Sequence, residues 1–411
     1  MSLGRRWSLV LAGLVVVRAV PPLVALAAEG HDVPGLPRFD LVAGTGDDAG
    51  FYAAAREFIA APGRLPAVVL ALLLLACAAA VVAVVRLWRT RPEWRPWVLL
   101  GAVEVAALAV TVVVLEMEPS GSAVFGWSLL WSVPLLPARL LGVASYEVAF
   151  AVGFPLLLVA NAVAVVATAY AGLWATGRRA VGLVAAGALA VWPLVSVVVA
   201  GHSAWENGTW FVETGLALYT EPLSSALVAV ALALLLRPRS SDLTLALAGL
   251  ALSYASLVKI SNALLAALAV LVVLRFRGVR PALPLALGAL VLLPVALAYW
   301  PLGYVSEENG RNLLPPDPFS LSYAGRSWTE SLLFSPRTLI VLLPLAIVGA
   351  LAVRRREALT LLLAATLVNA AFYSFYAHTS LHPRFLFASL PPFFVLWAAG
   401  AVAVARRVSR A

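Results

Sequence analysis

Long apolar runs fill the chain from end to end, broken at short intervals by arginine, proline and glycine. A bilayer-spanning helix needs roughly 20 consecutive apolar residues. The breaks divide the sequence into about twelve candidate spans, at 7–28, 66–86, 97–115, 144–174, 180–200, 215–236, 242–258, 261–274, 281–301, 337–353, 358–375 and 385–404. The runs 242–258 and 261–274 are short and predict a tight or tilted hairpin. Between the first two spans the period changes. In "GTGDDAGFYAAAREF" (44–58) and the residue after it, Phe51, Ala54, Ala55, Phe58 and Ile59 recur at helical spacing, with Arg56 and Glu57 between them. That pattern predicts a short amphipathic helix lying at the membrane surface. The expected fold is therefore an all-α polytopic membrane protein forming one integral-membrane domain over 1–411, with no separate soluble domain. The first apolar run lacks a small-residue cleavage site and reads as a retained span.

Composition agrees: 63% of residues are hydrophobic and 12% charged, with a mean hydropathy of +0.96. A soluble domain carries about 25% charged residues. The net charge of +9 gives no nucleic-acid signal, because the basic residues recur between spans instead of clustering. With the N-terminus placed in the cytoplasm, nineteen of the 29 basic residues fall on inner connections. Of the twenty acids, only Glu93, Asp242 and Glu357 do so, and Glu104 lies within a span. The positive-inside rule then predicts a multi-pass plasma-membrane protein with both termini cytoplasmic. Its long segments 29–65, 116–143, 201–214, 302–336 and 376–384 face outward. The single cysteine, Cys77, excludes an intrachain disulfide and reads as a small buried apolar residue.

Candidate chemistry gathers on the outer side. Asp47 and Asp48 stand at the predicted start of the amphipathic helix. One acid is accounted for as an N-cap. The second is not, and a partly desolvated carboxylate there suits a general base. Tyr52 follows Asp48 by one turn on the same face, placed to orient it or to stack on a sugar. Before the last span, His378, His382 and Arg384 converge among Tyr373, Tyr376 and Phe385. Pro383 argues against a helical His pair for a metal, and the planar fork of Arg384 suits phosphate. Lys259, the only lysine, lies at the outer tip of the short hairpin, either snorkelling to the interface or serving as a second phosphate cation. Glu221 enters its span from the outer side and is an intramembrane acid in need of a partner, for which Arg18 is a candidate. Glu104 has no evident role. The loop 302–336 is polar and aromatic, and loops of that length are often functional. Asp47, Asp48, Glu307 and Glu308 share the outer side, which leaves a divalent metal open as a cofactor.

Taken in order, "GDDAGFYAAAREFIAA", "ALYTEPLSSALVAVALALLLR", "LALAGLALSYASLVKISNALLAALAVLVVL" and "HPRFLFASLPPFFVLW" resemble the GT-C superfamily of integral-membrane glycosyltransferases, which use polyprenyl-phosphate sugars. The likeness covers about 40–400 and is nearest in size to mannosyltransferases of lipid-anchor pathways. It implies a GT-C-like bundle acting on the cell envelope, with Asp48, or failing that Asp47, as catalytic base. It also implies Arg384 and Lys259 near the leaving phosphate. The expected partners are a polyprenyl-phosphate sugar donor and a lipid, glycan or protein acceptor. One departure stands out: the segment "GWSLLWSVPLLPARLLG" begins only at Gly126, so a helical pair at about 66–115 intervenes where many relatives have none. The rival reading is a transporter or flippase for a lipid-linked or small polar substrate, to which Pro155, Pro193 and Pro294 would contribute helix breaks.

Overall fold

The computed structural model describes residues 3–28, 47–118, 125–143, 145–200, 220–305, 320–326, 337–376 and 383–410. Among these the chain is helical. In order the helices are α1 (Leu3–Ala28), α2 (Asp47–Ala60), α3 (Ala67–Thr90), α4 (Arg95–Leu115), α5 (Gly126–Leu140), α6 (Tyr146–Thr176), α7 (Arg179–Ala200) and α8 (Thr220–Leu236). There follow α9 (Asp242–Val258), α10 (Asn262–Arg277), α11 (Val279–Leu290), α12 (Leu293–Val305), α13 (Ser322–Arg326), α14 (Arg337–Ala352), α15 (Arg356–Ser374) and α16 (Leu390–Val408). Seven helices among the described residues are long and apolar enough to cross a bilayer. Four further helices have shorter apolar stretches among the fully described residues: Arg179–Val195, Thr220–Leu236, Asp242–Val258 and Leu342–Ala352. A membrane-embedded helical protein follows from this; a count of twelve spans does not.

The most direct sign of lipid is α3. Its hydropathy reaches 3.2, yet it buries none of its residues in protein. A helix that is apolar all round is stable only in an apolar medium, so its exposed Val68, Leu74 and Val82 face hydrocarbon.

The chain divides into two compact units. The first comprises 1–43, 154–238 and 316–411, the second 44–153 and 239–315. In the first, α7 packs on α1 and α16, while α14 lies tightly along α16. Glycines make that approach possible: a Cβ on Gly349 would run into the carbonyl of Leu396, and one on Gly400 into that of Leu345. Small residues serve this purpose where membrane helices pack closely. In the second unit α9 crosses α11 in the same way. A Cβ on Gly249 would meet the Leu285 carbonyl, and one on Gly288 would lie 3.1 Å from the Cα of Gly249. The core of this unit joins Ala61, Ala107, Val114, Phe125, Leu257 and Tyr299, with Phe125 stacked on Tyr299 at 4.5 Å between centroids.

Three elements differ from the sequence pattern. Residues 126–140, expected as outer loop, form α5, because Trp127, Trp131 and Leu135 repeat every four residues and are buried. Pro134 and Pro137 disguise that helix in the sequence. The predicted span 281–301 falls within an apolar stretch, Val279–Pro301, long enough to cross a bilayer, but it is interrupted at Val291–Leu292, which parts it into α11 and α12. Pro294 has no amide for the Leu290 carbonyl, and the Leu292 amide is taken by Ser253 Oγ at 3.2 Å. Pro155 and Pro193, by contrast, lie within unbroken helices. The last predicted span opens with a 3-10 segment, Pro383–Ser389, before α16.

Candidate functional site

The predicted amphipathic helix is present as α2, and Asp47 and Asp48 are its first two residues. Their side chains lie outside the described ones. The positive end of a helix dipole favours carboxylates at these positions. The apolar face of α2 is not laid on lipid: Phe51, Ala54 and Ala55 are buried, and the helix packs on α5. Phe58 meets Phe125 edge-on at 5.4 Å. Tyr52 is buried too, held edge-on against Tyr146 at 5.4 Å, with the Arg56 guanidinium 5.6 Å from its ring centre.

Between α2 and α5 lies a cavity of about 440 Å³ whose wall includes Arg56, Glu57, Leu135 and Arg139. Arg139 Nη1 donates to the Arg56 carbonyl at 3.4 Å. Below it, Arg64 forms an ion pair with Glu57, donates to the Glu116 carbonyl at 2.9 Å, and lies 3.4 Å from the Glu118 carboxylate. The Glu118 amide donates to Glu57 Oε1 at 3.0 Å. Partial burial pushes the Glu57 carboxyl up. The Arg64 hydrogen bond, the Glu118 amide and the charges of Arg64 and Arg139 outweigh that and hold it below the ordinary carboxylate range. This network clamps the end of α2 to the end of α4. Its members were not singled out in the sequence because Arg64, Glu116 and Glu118 are far apart in it and form no motif.

Lys259 sits where the pattern placed it, between α9 and α10, but it is buried instead of snorkelling over the surface. It caps the C-terminus of α9, with its amide on the Ala255 carbonyl at 2.8 Å, a position that suits a cation. The adjoining residues line an apolar cavity of about 610 Å³ walled by α9 to α12, including Leu257, Ile260, Ala267, Leu293 and Trp300. Its two serines are engaged elsewhere. Ser256 Oγ donates to the Leu252 carbonyl at 2.8 Å, and Ser253 Oγ accepts the Leu292 amide.

Asp47, Asp48, Tyr52 and Lys259 thus belong to the second unit. Glu221 and Arg384 belong to the first. Glu221 is buried in the first turn of α8 and accepts from Thr220 Oγ1 at 3.2 Å. The 3-10 segment carrying Arg384 packs against α8 and α15, which brings its backbone beside the helix of Glu221. The Arg384 side chain, and His378 and His382 entirely, lie outside the described residues. So do Glu307 and Glu308. Arg18 is buried in α1, with Nε on Asn161 Oδ1 at 2.7 Å and Nη1 on the Leu189 carbonyl at 3.4 Å. Glu104 is half-buried in α4, and nothing in the structure explains it. Among the described residues no three His, Cys, Asp or Glu side chains come together as metal ligands.

No protein-family model, curated protein or solved structure matches the chain.

Proposed function

We propose that the chain is a GT-C-type membrane glycosyltransferase, a bundle of about twelve spans that transfers a hexosyl or pentosyl group from a polyprenyl phosphate to an acceptor hydroxyl. In this reading both termini are cytoplasmic and the acceptor is met on the outer side of the plasma membrane. The observation that carries it is the content of the second unit. One compact body holds the diacid-headed helix α2, a charged cavity against it, the sole lysine and a large apolar cavity beside that lysine. A lipid-phosphate sugar asks for those parts: a base, cations for the phosphate, and an apolar wall for the isoprenoid chain.

In the reaction the acceptor oxygen attacks the anomeric carbon as the bond from that carbon to the phosphate oxygen breaks. Its proton passes to the Asp48 carboxylate, or to that of Asp47, and the lipid phosphate leaves with the electron pair. The configuration inverts. Cations fixed in advance where negative charge develops supply the main electrostatic contribution. Lys259 takes that role in the second unit, and the GT-C resemblance assigns Arg384 the same role. A divalent metal on the outer carboxylates remains part of the proposal only as an alternative holder of the phosphate.

Substitution Asp48→Asn is expected to slow transfer by about 10²–10⁴-fold while binding of polyprenyl phosphate is retained. Equal loss of binding would reassign Asp48 to structure. Filling the apolar cavity with Ala267→Trp should weaken retention of polyprenyl phosphate but not of a short-chain analogue. Equal retention of both would remove the cavity from the reading.

A further inference from the structure

Connections that the sequence places on one side of the membrane meet at one end of the first unit. A cavity of about 630 Å³ is walled there by Trp174, Arg178, Pro238, Arg354 and Arg355, with Ala399 of α16. Arg355 builds the wall: its Nη1 donates to the Leu236 carbonyl at 3.0 Å and to the Trp174 carbonyl at 3.4 Å, closing the C-terminal ends of α8 and α6. Its Nη2 is 3.4 Å from Glu357. Arg178 and Arg354 are different. Neither guanidinium is in an ion pair among the described residues. Arg178 immediately precedes α7, which begins at Arg179, and Arg354 stands two residues before α15, which begins at Arg356 and whose first turn no side chain caps. Helix N-termini favour anions. The positive-inside rule explains why arginines are numerous at this end. It does not explain why three of them, from two separate connections, share one cavity.

We propose that this cavity binds the phosphate headgroup of an anionic membrane lipid. Its volume falls within the roughly 300–1,000 Å³ of small-ligand sites. Its wall alternates guanidinium groups with the apolar residues Val181, Ala352 and Ala399, as a headgroup with its glycerol and first methylenes requires. Basic pockets between membrane helices take such headgroups. The site is independent of glycosyl transfer and involves none of the residues assigned to it.

The test is native mass spectrometry of the detergent-purified full chain titrated with phosphatidylglycerol or with phosphatidylcholine of the same acyl chains. Wild type should retain phosphatidylglycerol preferentially. The pair Arg178→Gln/Arg354→Gln should weaken it by about thirtyfold, and Arg354→Gln alone should give an intermediate loss. The control pair Arg179→Gln/Arg356→Gln removes the same charge from neighbouring exposed positions outside the cavity and should change little. Equal loss in both pairs would reduce the effect to surface charge and overturn the site. Absence of any headgroup preference would overturn it as well. Displacement of the lipid by an equal concentration of inorganic phosphate would overturn the lipid assignment in favour of a free-phosphate site.

Discussion

At the residue scale, Glu57 carries the clearest pH dependence outside the membrane. Its folded-state pKa is depressed, so the stability it contributes is present above the unfolded value of about 4.3 and lost as pH falls through the folded value. Protection of the amides at 57–61, 63, 64 and Glu118, taken relative to intrinsic exchange at each pH, should therefore fall as the pH drops below about 4. Glu57→Gln should exchange faster at neutral pH and show no such acid step. An acid step that survives in Glu57→Gln would place the titrating group elsewhere. The sequence read this region in part. The diacid and the apolar period of α2 are local signals, and both led to the right helix. Glu57 with Arg64, Glu116 and Glu118 is a contact of tertiary packing, and no spacing in the chain announces it. Tyr52 illustrates the same limit. Its helix face was legible, but the burial of that face by Tyr146 and α5 was not.

At the element scale, two glycine crossings set how closely the helices approach. Gly249→Leu is expected to cost about 1–3 kcal/mol or more through overpacking and to lower the thermal midpoint of the purified protein. Gly187→Leu, where a Cβ would meet only Leu14 Cδ2 at 3.8 Å, should cost far less. Comparable losses at the two positions would contradict the close crossing of α9 and α11. Nothing in sequence separates Gly249 from Gly187, since both are glycines in apolar runs; only the neighbouring helix distinguishes them. Span positions were legible because a run of apolar residues is a local property. The breaks inside them were less so. Pro294 parts two helices because a serine from α9 receives the freed amide beside it, whereas Pro155 and Pro193 sit within continuous helices. Helix α5 was missed for the opposite reason: its prolines outweigh, on inspection, a repeat of buried tryptophans that the fold obeys.

At the scale of the whole molecule, the apolar exposure of α3 and the seven long apolar helices make the chain a membrane protein. Orientation is checked by cysteine labelling in a Cys77→Ala background. In intact cells a membrane-impermeant maleimide should modify Gly63→Cys, in the 3-10 turn Ala61–Arg64 that follows α2, and leave Ser240→Cys, between α8 and α9, unmodified until the membrane is opened. The reverse pattern would invert the assignment of every outer segment. The proposed function rests, at the level of sequence, only on order and side: an acidic helix after the first span, a lone lysine at a hairpin tip, an arginine before the last span. The charged cavity between α2 and α5 and the apolar cavity beside Lys259 are products of packing and became visible only in the structure. The central claim, that this is a polyprenyl-phosphate-dependent glycosyltransferase, is tested most directly by turnover. Purified protein in lipid is incubated with a panel of radiolabelled polyprenyl-phosphate sugars, and wild type is compared with Asp48→Asn and Asp47→Asn. The account predicts release or transfer of one sugar by wild type and its loss in one of the two variants. Turnover unchanged in both would contradict the assigned base, and no turnover with any donor would contradict the enzyme and favour a transporter.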